Sequence, residues 1–210
     1  MNIAVTGGIG SGKSTASKIL AVAMGAEHVD VDQLCRKQLQ PGKQGLAALV
    51  KVFGSGYLLA DGSLNRLLLR RTVFADSNVR KQLEMILHPL VRKEVADYYL
   101  WCCAADKSLV VEVPLLFEAG WQEDFTVSVV VYVPETVCYS RVATRDGLTF
   151  AEIEQVFAAQ MSFSDKVKVA DFVIDNSGTF VGTVQQLAWL GKTLERRENE
   201  WKSMKVRQKA

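Results

Sequence analysis

A glycine-rich segment, GGIGSGKST at residues 7–15, directly follows a short apolar stretch at residues 2–6. The pattern G-x-x-x-x-G-K-S is typical of a loop that binds phosphate groups between a strand and a helix. Glycines let successive backbone amides turn towards phosphate oxygens, and the start of the following helix adds partial positive charge. The segment therefore predicts a buried strand, a phosphate-binding loop and a helix, in this order.

Individual loop residues would have separate roles towards a nucleotide. Lys13 would neutralise the β- and γ-phosphates, and the Ser14 hydroxyl would bind Mg²⁺. The alternative is a tight turn with a solvated lysine, which needs no ligand. The predicted nucleotide-binding residues of the segment are Gly8, Gly10, Ser11, Gly12, Lys13, Ser14 and Thr15.

The rest of the chain alternates apolar strands with helical patterns, as in a parallel α/β sheet. Further strands are predicted at residues 26–31, 109–113, 127–133 and 171–175, and helices at 13–24, 32–39, 134–145, 150–159 and from 179 onwards. We therefore expect a three-layer α/β fold with a central five-stranded parallel sheet.

A long helical insertion, at residues 36–105, interrupts this alternation. Between Arg36 and Ala105 there are eleven Lys or Arg against five Asp or Glu, whereas the whole chain has a net charge of only +2. A cationic lobe on a near-neutral chain indicates an anionic small molecule rather than nucleic acid or a membrane surface. We expect this insertion to be a subdomain, and residues 1–35 and 106–210 to form the core.

The cysteine pattern and the lengths of the apolar segments indicate a cellular location. The four cysteines form no CxxC pair, so they are typical of reduced thiols rather than a zinc site or disulfides. No apolar run approaches the ~18 residues of a membrane span. We expect a cytoplasmic protein with no nucleic-acid or membrane partner, as a monomer or a small homo-oligomer.

Candidate catalytic residues lie outside the glycine-rich segment. Asp30 and Asp32 follow the second predicted strand, where strand ends line the ligand crevice of a parallel sheet. Asp32 would accept the proton of an acceptor hydroxyl, or it would cap the next helix. Arg141 and Arg145 share one helix face and would act from a helical lid at about residues 135–165, or they are solvated surface residues.

Three further residues have two possible roles each. His88 precedes Pro89 in a helical pattern, where a packed or surface histidine is more typical than a catalytic one. Glu112, at a predicted strand end, would contact Mg²⁺ through water or would be an edge residue. Glu118, at the end of PLLFE, has the same two possibilities.

The motifs favour phosphoryl transfer to a small acceptor over other uses of a phosphate-binding loop. No Asn-Lys-x-Asp segment that reads guanine is present, and the chain is short for a motor or transporter ATPase. The alternatives are a kinase for another small acceptor, such as a nucleotide, and a non-enzymatic nucleotide-binding switch.

The ordered motifs resemble those of the dephospho-coenzyme A kinase family across residues 2–178. The resemblance is carried by TGGIGSGKST (6–15), VDVDQLCRKQLQPG (29–42), LHPLV (87–91), VPLLFE (113–118), RVATRDG (141–147) and ADFVIDNSG (170–178). It implies a P-loop kinase fold with a helical acceptor-binding insertion and a helical lid. It also implies an alcohol phosphotransferase in which ATP, with Mg²⁺, phosphorylates the ribose 3′-hydroxyl of dephospho-CoA in the last step of coenzyme A biosynthesis.

The resemblance also implies site residues. ATP phosphates would lie on the glycine-rich loop and adenine near Asn176, while Lys13, Asp32, Arg141 and Arg145 would be catalytic. The acceptor would contact Asp32 and Arg36, together with His88, Pro114, Leu115 and Leu116. One departure is that residues 160–163 contain no arginine, whereas relatives often carry one soon after this glutamine.

Overall fold

The strands assemble into one sheet around the apolar segment at the start of the chain. They are β1 (Asn2–Thr6), β2 (Glu27–Asp30), β3 (Leu109–Glu112), β4 (Val127–Tyr132) and β5 (Phe172–Asp175), and their order in the sheet is β2-β3-β1-β4-β5. β1 pairs in parallel with β3 on one side and β4 on the other, and β4 pairs in parallel with β5. The predicted five-stranded α/β sheet is confirmed, and each predicted strand end agrees within one residue.

Helices cover the sheet and join its strands. The computed structural model describes residues 1–147 and 149–207; Leu148, within the predicted lid, and residues 208–210 lie outside the described residues. The helices that accompany the sheet are α1 (Lys13–Ala23), α6 (Glu135–Asp146), α7 (Phe150–Ala158), α8 (Phe163–Val169) and α9 (Phe180–Arg207); α2 to α5 are described below. None of the helices in the described ranges is both long and apolar enough to cross a bilayer.

Both faces of the sheet are buried, which explains why its strands are apolar without alternation. On one face, Ile3 and Val5 of β1 join Leu20 of α1 and Leu187 of α9 in the main apolar cluster. Ala4, which points to the other face, is equally inaccessible, and a smaller cluster of Val133, Cys138 and Phe163 lies beyond the end of β4. The first turn of α1 and the loop before it are thus anchored to a packed core.

The chain divides into two compact units. One unit contains residues 1–29 and 99–210, and the other contains residues 30–98. The second unit contains α2 (Val31–Gln38), α3 (Gln44–Phe53), α4 (Arg66–Ala75) and most of α5 (Ser77–Ala104). Its own apolar cluster is built on Leu46, Leu49, Leu64 and Leu69.

Two local expectations are corrected by the structure. Asp32 does not cap α2, because that helix begins at Val31 and the Asp30 carboxylate accepts the Gln33 N–H at 3.2 Å. Asp32 therefore lies in the first helical turn. The sequence also gave no sign of α8, a short helix that Ser162 caps by accepting the Asp165 N–H at 3.1 Å.

Candidate active site

The glycine-rich loop leaves β1 at the point where the strand order reverses, which is where ligands bind in parallel sheets. Gly10 and Gly12 have φ angles of 78° and 87°, a left-handed conformation that side chains disfavour. A Cβ on Gly10 would also come 2.8 Å from the Val142 side chain. In the first turn of α1 the Thr15 N–H donates to the Gly12 carbonyl at 3.1 Å, and the amides that precede it at the helix start suit an anion. The loop thus has the backbone of a phosphate-binding site.

Arg141 and Asn176, which the sequence placed in different parts of the site, meet at the outer side of this loop. The Arg141 guanidinium donates to the Asn176 carbonyl at 3.1 Å and, at 3.5 Å, to the Gly10 carbonyl. The Asn176 side-chain amide donates to the Ser11 carbonyl at 2.8 Å, while its oxygen accepts the Thr183 hydroxyl at 2.8 Å. The structure therefore brings Arg141, Asn176 and the loop together.

Glu112 lies against the first turns of α1, although the sequence left its role open. Its carboxylate is 3% exposed and accepts the Ser14 hydroxyl at 2.5 Å. The Ser17 hydroxyl, also buried, lies 3.5 Å from the other carboxylate oxygen and 2.9 Å from His28 Nε2. A hydroxyl beside a carboxylate is a donor set that suits Mg²⁺, which prefers oxygen ligands. The residues present therefore fit the metal that the sequence predicted at Ser14.

Arg145, unlike Arg141, makes its side-chain contacts with a neighbouring residue of its own helix. Its guanidinium binds the neighbouring Asp146 carboxylate at 2.7 and 2.8 Å, and its side chain is 64% exposed. The two arginines are therefore not brought together, although they share one helix.

The turn between α7 and α8 also contacts the loop, and sequence reasoning missed most of it. Gln160 Oε1 accepts the Ile9 N–H at 3.3 Å, and the Phe163 ring lies against Gly8. Beyond this turn, in α8, Lys166 is a fully buried cation 2.9 Å from Glu118 Oε1. The sequence feature that could have indicated this cation is the lysine six positions after Gln160.

The predicted acceptor residues of the PLLFE segment differ in their exposure. Pro114 and Leu115 are half-buried, whereas Leu116 is fully buried, so only the first two offer surface to a ligand. The Pro114 carbonyl accepts the Thr6 hydroxyl at 3.3 Å, which fixes this segment to the end of β1.

In the second unit, α2 carries Asp32 and Arg36 beside an open cavity. The cavity has a volume of about 610 Å³, and its lining residues are Gln33, Leu34, Arg36, Lys37, Gln40, Arg66 and Tyr98. Lys37 is bound to Glu94 at 2.5 Å, and this contact raises the pKa of Lys37. Arg36 and Arg66 form no ion pair within the part of the chain that the structure describes. The cavity is therefore cationic and polar.

Two ionisable groups of this unit have shifted pKa values. Burial raises the pKa of the Cys35 thiol to about 12, with further increases from the Asp32 and Asp30 carboxylates. Burial also lowers the pKa of His88, with a smaller opposing effect from Glu84. His88 is thus neutral at pH 7 and lies within α5, directly before Pro89.

Comparisons with known proteins agree with this geometry. A family model described as dephospho-CoA kinase matches residues 1–181. A dephospho-CoA kinase from Methylococcus capsulatus is 43% identical over 86% of this chain and 89% of its own length. One from Desulfotalea psychrophila is 37% identical over 89% of this chain and 94% of its own.

Solved structures agree with the sequence relatives. A structure of the dephospho-CoA kinase from Campylobacter jejuni has a TM-score of 0.70 at 26% identity, and the match covers 94% of this chain and 98% of that one. The predicted P-loop kinase fold is confirmed by this likeness. The chain therefore belongs to the dephospho-CoA kinase family, and the predicted activity, ATP-dependent phosphorylation of dephospho-CoA, is confirmed with it.

Proposed function

We propose that this chain transfers the γ-phosphoryl group of ATP to the ribose 3′-hydroxyl of dephospho-CoA, with the donor on the sheet unit and the acceptor on the helical unit. The acceptor oxygen attacks the γ-phosphorus while the bond to the bridging β–γ oxygen breaks, so ADP leaves and coenzyme A forms. The observation that supports this proposal most is the loop before α1, whose Gly10 and Gly12 have positive φ angles, in a chain that belongs to this kinase family.

The donor side is assigned to the loop and its supports. The phosphates would lie on Gly10 to Thr15, and Lys13 would neutralise the transferring group. The Asn176 segment, fixed to the loop at 2.8 Å, would lie beside adenine. Ser14 and Glu112 would hold Mg²⁺ directly or through water. When bound, that ion supplies positive charge to the β- and γ-phosphate oxygens.

Asp32 is assigned as the group that receives the proton of the attacking hydroxyl. Its side chain is exposed in the first turn of α2, and the capping task belongs to Asp30, so Asp32 is not needed to hold the helix. β2 ends two residues before it, at Asp30, and the carboxyl ends of neighbouring parallel strands line the ligand crevice.

The acceptor is assigned to the cationic cavity of the helical unit. Arg36 and Arg66 are suited to a diphosphate, because guanidinium groups bind phosphate oxygens in pairs. Tyr98 offers an aromatic surface to an adjacent apolar or heterocyclic part of the acceptor. His88, neutral at pH 7, and the exposed faces of Pro114 and Leu115 are assigned to the acceptor as uncharged contacts.

Arg141 and Arg145 are assigned to a mobile lid of α6 and α7. Arg141 already contacts the loop, whereas Arg145 would have to leave Asp146 to reach the phosphates. Both would stabilise negative charge on the transferred group. We further propose a cytoplasmic location and a monomer or small homo-oligomer.

A coupled assay that measures ADP formation with several acceptors tests the function. Dephospho-CoA should have a higher kcat/KM than any nucleoside monophosphate, adenosine or pantetheine, because only dephospho-CoA offers both a diphosphate and a 3′-hydroxyl. Faster turnover of a nucleoside monophosphate would overturn the assignment.

The variant Asp32→Asn tests the proton acceptor. It should lower kcat by roughly 10²-fold or more while the dissociation constant for ATP stays nearly unchanged, because only the proton-accepting group is lost. Asp97→Asn is the matched control, since Asp97 is an exposed carboxylate of the same unit that pairs with Lys93. Full turnover by Asp32→Asn would remove the catalytic role.

A further inference from the structure

Lys166 is an unusual residue because its ammonium group is completely inaccessible to water. Its Nζ lies 2.9 Å from Glu118 Oε1, and this ion pair is the ammonium's only polar contact among the residues that the structure describes. It makes no aligned hydrogen bond there. Burying a lysine ammonium beside one carboxylate costs desolvation free energy that an apolar side chain at the same position would not cost. A role other than stability would explain why a lysine stands there.

The same carboxylate fixes the turn between α7 and α8. Glu118 Oε1 accepts the Met161 N–H at 2.8 Å, so one oxygen binds both the turn backbone and the side chain of α8. Glu118 itself follows β3 through the PLLFE segment, whose Leu116 is fully buried. The turn is therefore anchored to the rigid sheet and not only to its own helices.

That turn supports the first half of the phosphate-binding loop. Gln160 Oε1 accepts the Ile9 N–H at 3.3 Å. Phe163 is 6% exposed, and a Cβ on Gly8 would come 2.6 Å from its ring. The Tyr132 ring also contacts the Phe163 ring in an edge-to-face arrangement, with the ring centroids 5.8 Å apart. Any shift of residues 160–163 would thus move Gly8 and Ile9.

We propose that the Glu118–Lys166 pair positions the phosphate-binding loop for ATP, acting through Gln160 and Phe163. The Lys166 ammonium is buried, so we assign the pair an indirect role and no contact with the nucleotide. The pair fixes the turn, the turn fixes Ile9 and Gly8, and the loop amides keep the orientation that phosphate oxygens need. This inference rests on the proposed assignment of ATP to the loop.

Lys166→Met is the main variant, because Met has similar length and leaves Glu118, which is 17% exposed, in reach of water. Lys168→Met is the matched control: it removes the same charge from the same helix, at an exposed residue that pairs with Asp165. Steady-state kinetics with saturating dephospho-CoA give kcat and the KM for ATP, and calorimetry gives the dissociation constant for ATP.

Lys166→Met should raise both the KM and the dissociation constant for ATP about fivefold or more, with kcat changed less than about twofold. Lys166→Arg should restore values close to those of the unmodified chain, since it keeps a cation beside Glu118. Lys168→Met should leave all three values unchanged. Unchanged ATP binding in a folded Lys166→Met variant would overturn the proposal.

A double variant separates positioning from general stability. Gln160→Ala should raise the KM for ATP, and Lys166→Met combined with Gln160→Ala should raise it no further than the larger single effect, because both act along one route. Multiplied effects in the double variant would contradict the proposed route.

Glu118→Asp replaces Lys166→Met if the latter does not fold. It keeps the charge but withdraws the carboxylate from Lys166 and Met161, and the same rise in KM is expected. Unaltered ATP binding in Glu118→Asp would count against the pair. Failure of the unmodified chain to bind ATP would instead reject the proposed function, so the two failures are distinguishable.

Discussion

The buried Glu112 carboxylate links the start of α1 to the carboxyl end of β3. Glu112 is the last residue of β3 and accepts the Ser14 hydroxyl, while the Ser17 hydroxyl approaches its second oxygen and contacts His28. A buried carboxylate is costly unless hydrogen bonds or a cation compensate it. These contacts place the Glu112 carboxylate next to Ser14, where the proposed Mg²⁺ would need oxygen ligands.

The variant Glu112→Gln should weaken the binding of ATP with Mg²⁺ about tenfold and leave the binding of ATP in EDTA unchanged. Gln keeps the shape and can accept the Ser14 hydroxyl, but it carries no charge for the ion. Calorimetry with and without Mg²⁺ measures both dissociation constants. Glu123→Gln, at an exposed carboxylate outside the site, serves as the control. Equal weakening in both buffers would contradict a metal role for Glu112.

Site residues were predictable where residue type and spacing alone define the chemistry. Gly10, Gly12 and Asn176 were predicted because each belongs to a sequence motif, and the structure brings Asn176 to the loop. Lys166 was missed, because its role depends on Glu118, 48 positions earlier in the chain, and a charged residue on a short helix is typical of a surface.

At the scale of elements, α7 has the strongest start signal of the proposed lid. Thr149 and Glu152 form a capping box: the Glu152 carboxylate accepts the Thr149 N–H at 2.8 Å, and the Thr149 hydroxyl accepts the Glu152 N–H at 3.4 Å. Such a box satisfies two amides that have no helical acceptor. The start of α7 is therefore fixed by residues within one turn.

Thr149→Ala should destabilise α7 locally by about 1 kcal/mol, because the hydroxyl cap is lost. Native-state hydrogen exchange of the α7 amides should show faster exchange, while amides of β1 and β4 should not change. Thr144→Ala is the control: its hydroxyl donates to the Ser140 carbonyl within α6, and alanine is a better helix former. Protection of α7 that survives Thr149→Ala would show that tertiary packing, not the cap, holds the helix.

Strands were easier to predict than helix starts for a physical reason. The central strands are buried on both faces, so β1 and β4 appear as short, mostly apolar runs with clear ends. The start of α2 was predicted one residue late because Asp30 and Asp32 are equally good caps, and only the backbone geometry distinguishes them. Short α8 has too few residues to show a helical period.

At the scale of the whole molecule, the chain has two compact units with separate apolar clusters. The sheet unit consists of residues 1–29 and 99–210. Residues 30–98 form the helical unit, which contains the cationic cavity. The charge excess in the insertion indicated an anionic ligand, but the sequence did not show which cations share one cavity. Arg36 and Arg66 are 30 positions apart and come together only through the fold.

This division predicts that the two substrates protect different amides from hydrogen exchange. ATP with Mg²⁺, at about 100 times its dissociation constant, should add up to about 2.7 kcal/mol of protection to amides of β1, the loop and α1. Dephospho-CoA alone should protect α2 and the first turns of α4 around Arg66. Arg66→Ala should remove only the second pattern, because it leaves the loop intact. Protection of the loop amides by dephospho-CoA, with α2 and α4 unchanged, would place the acceptor on the sheet unit instead.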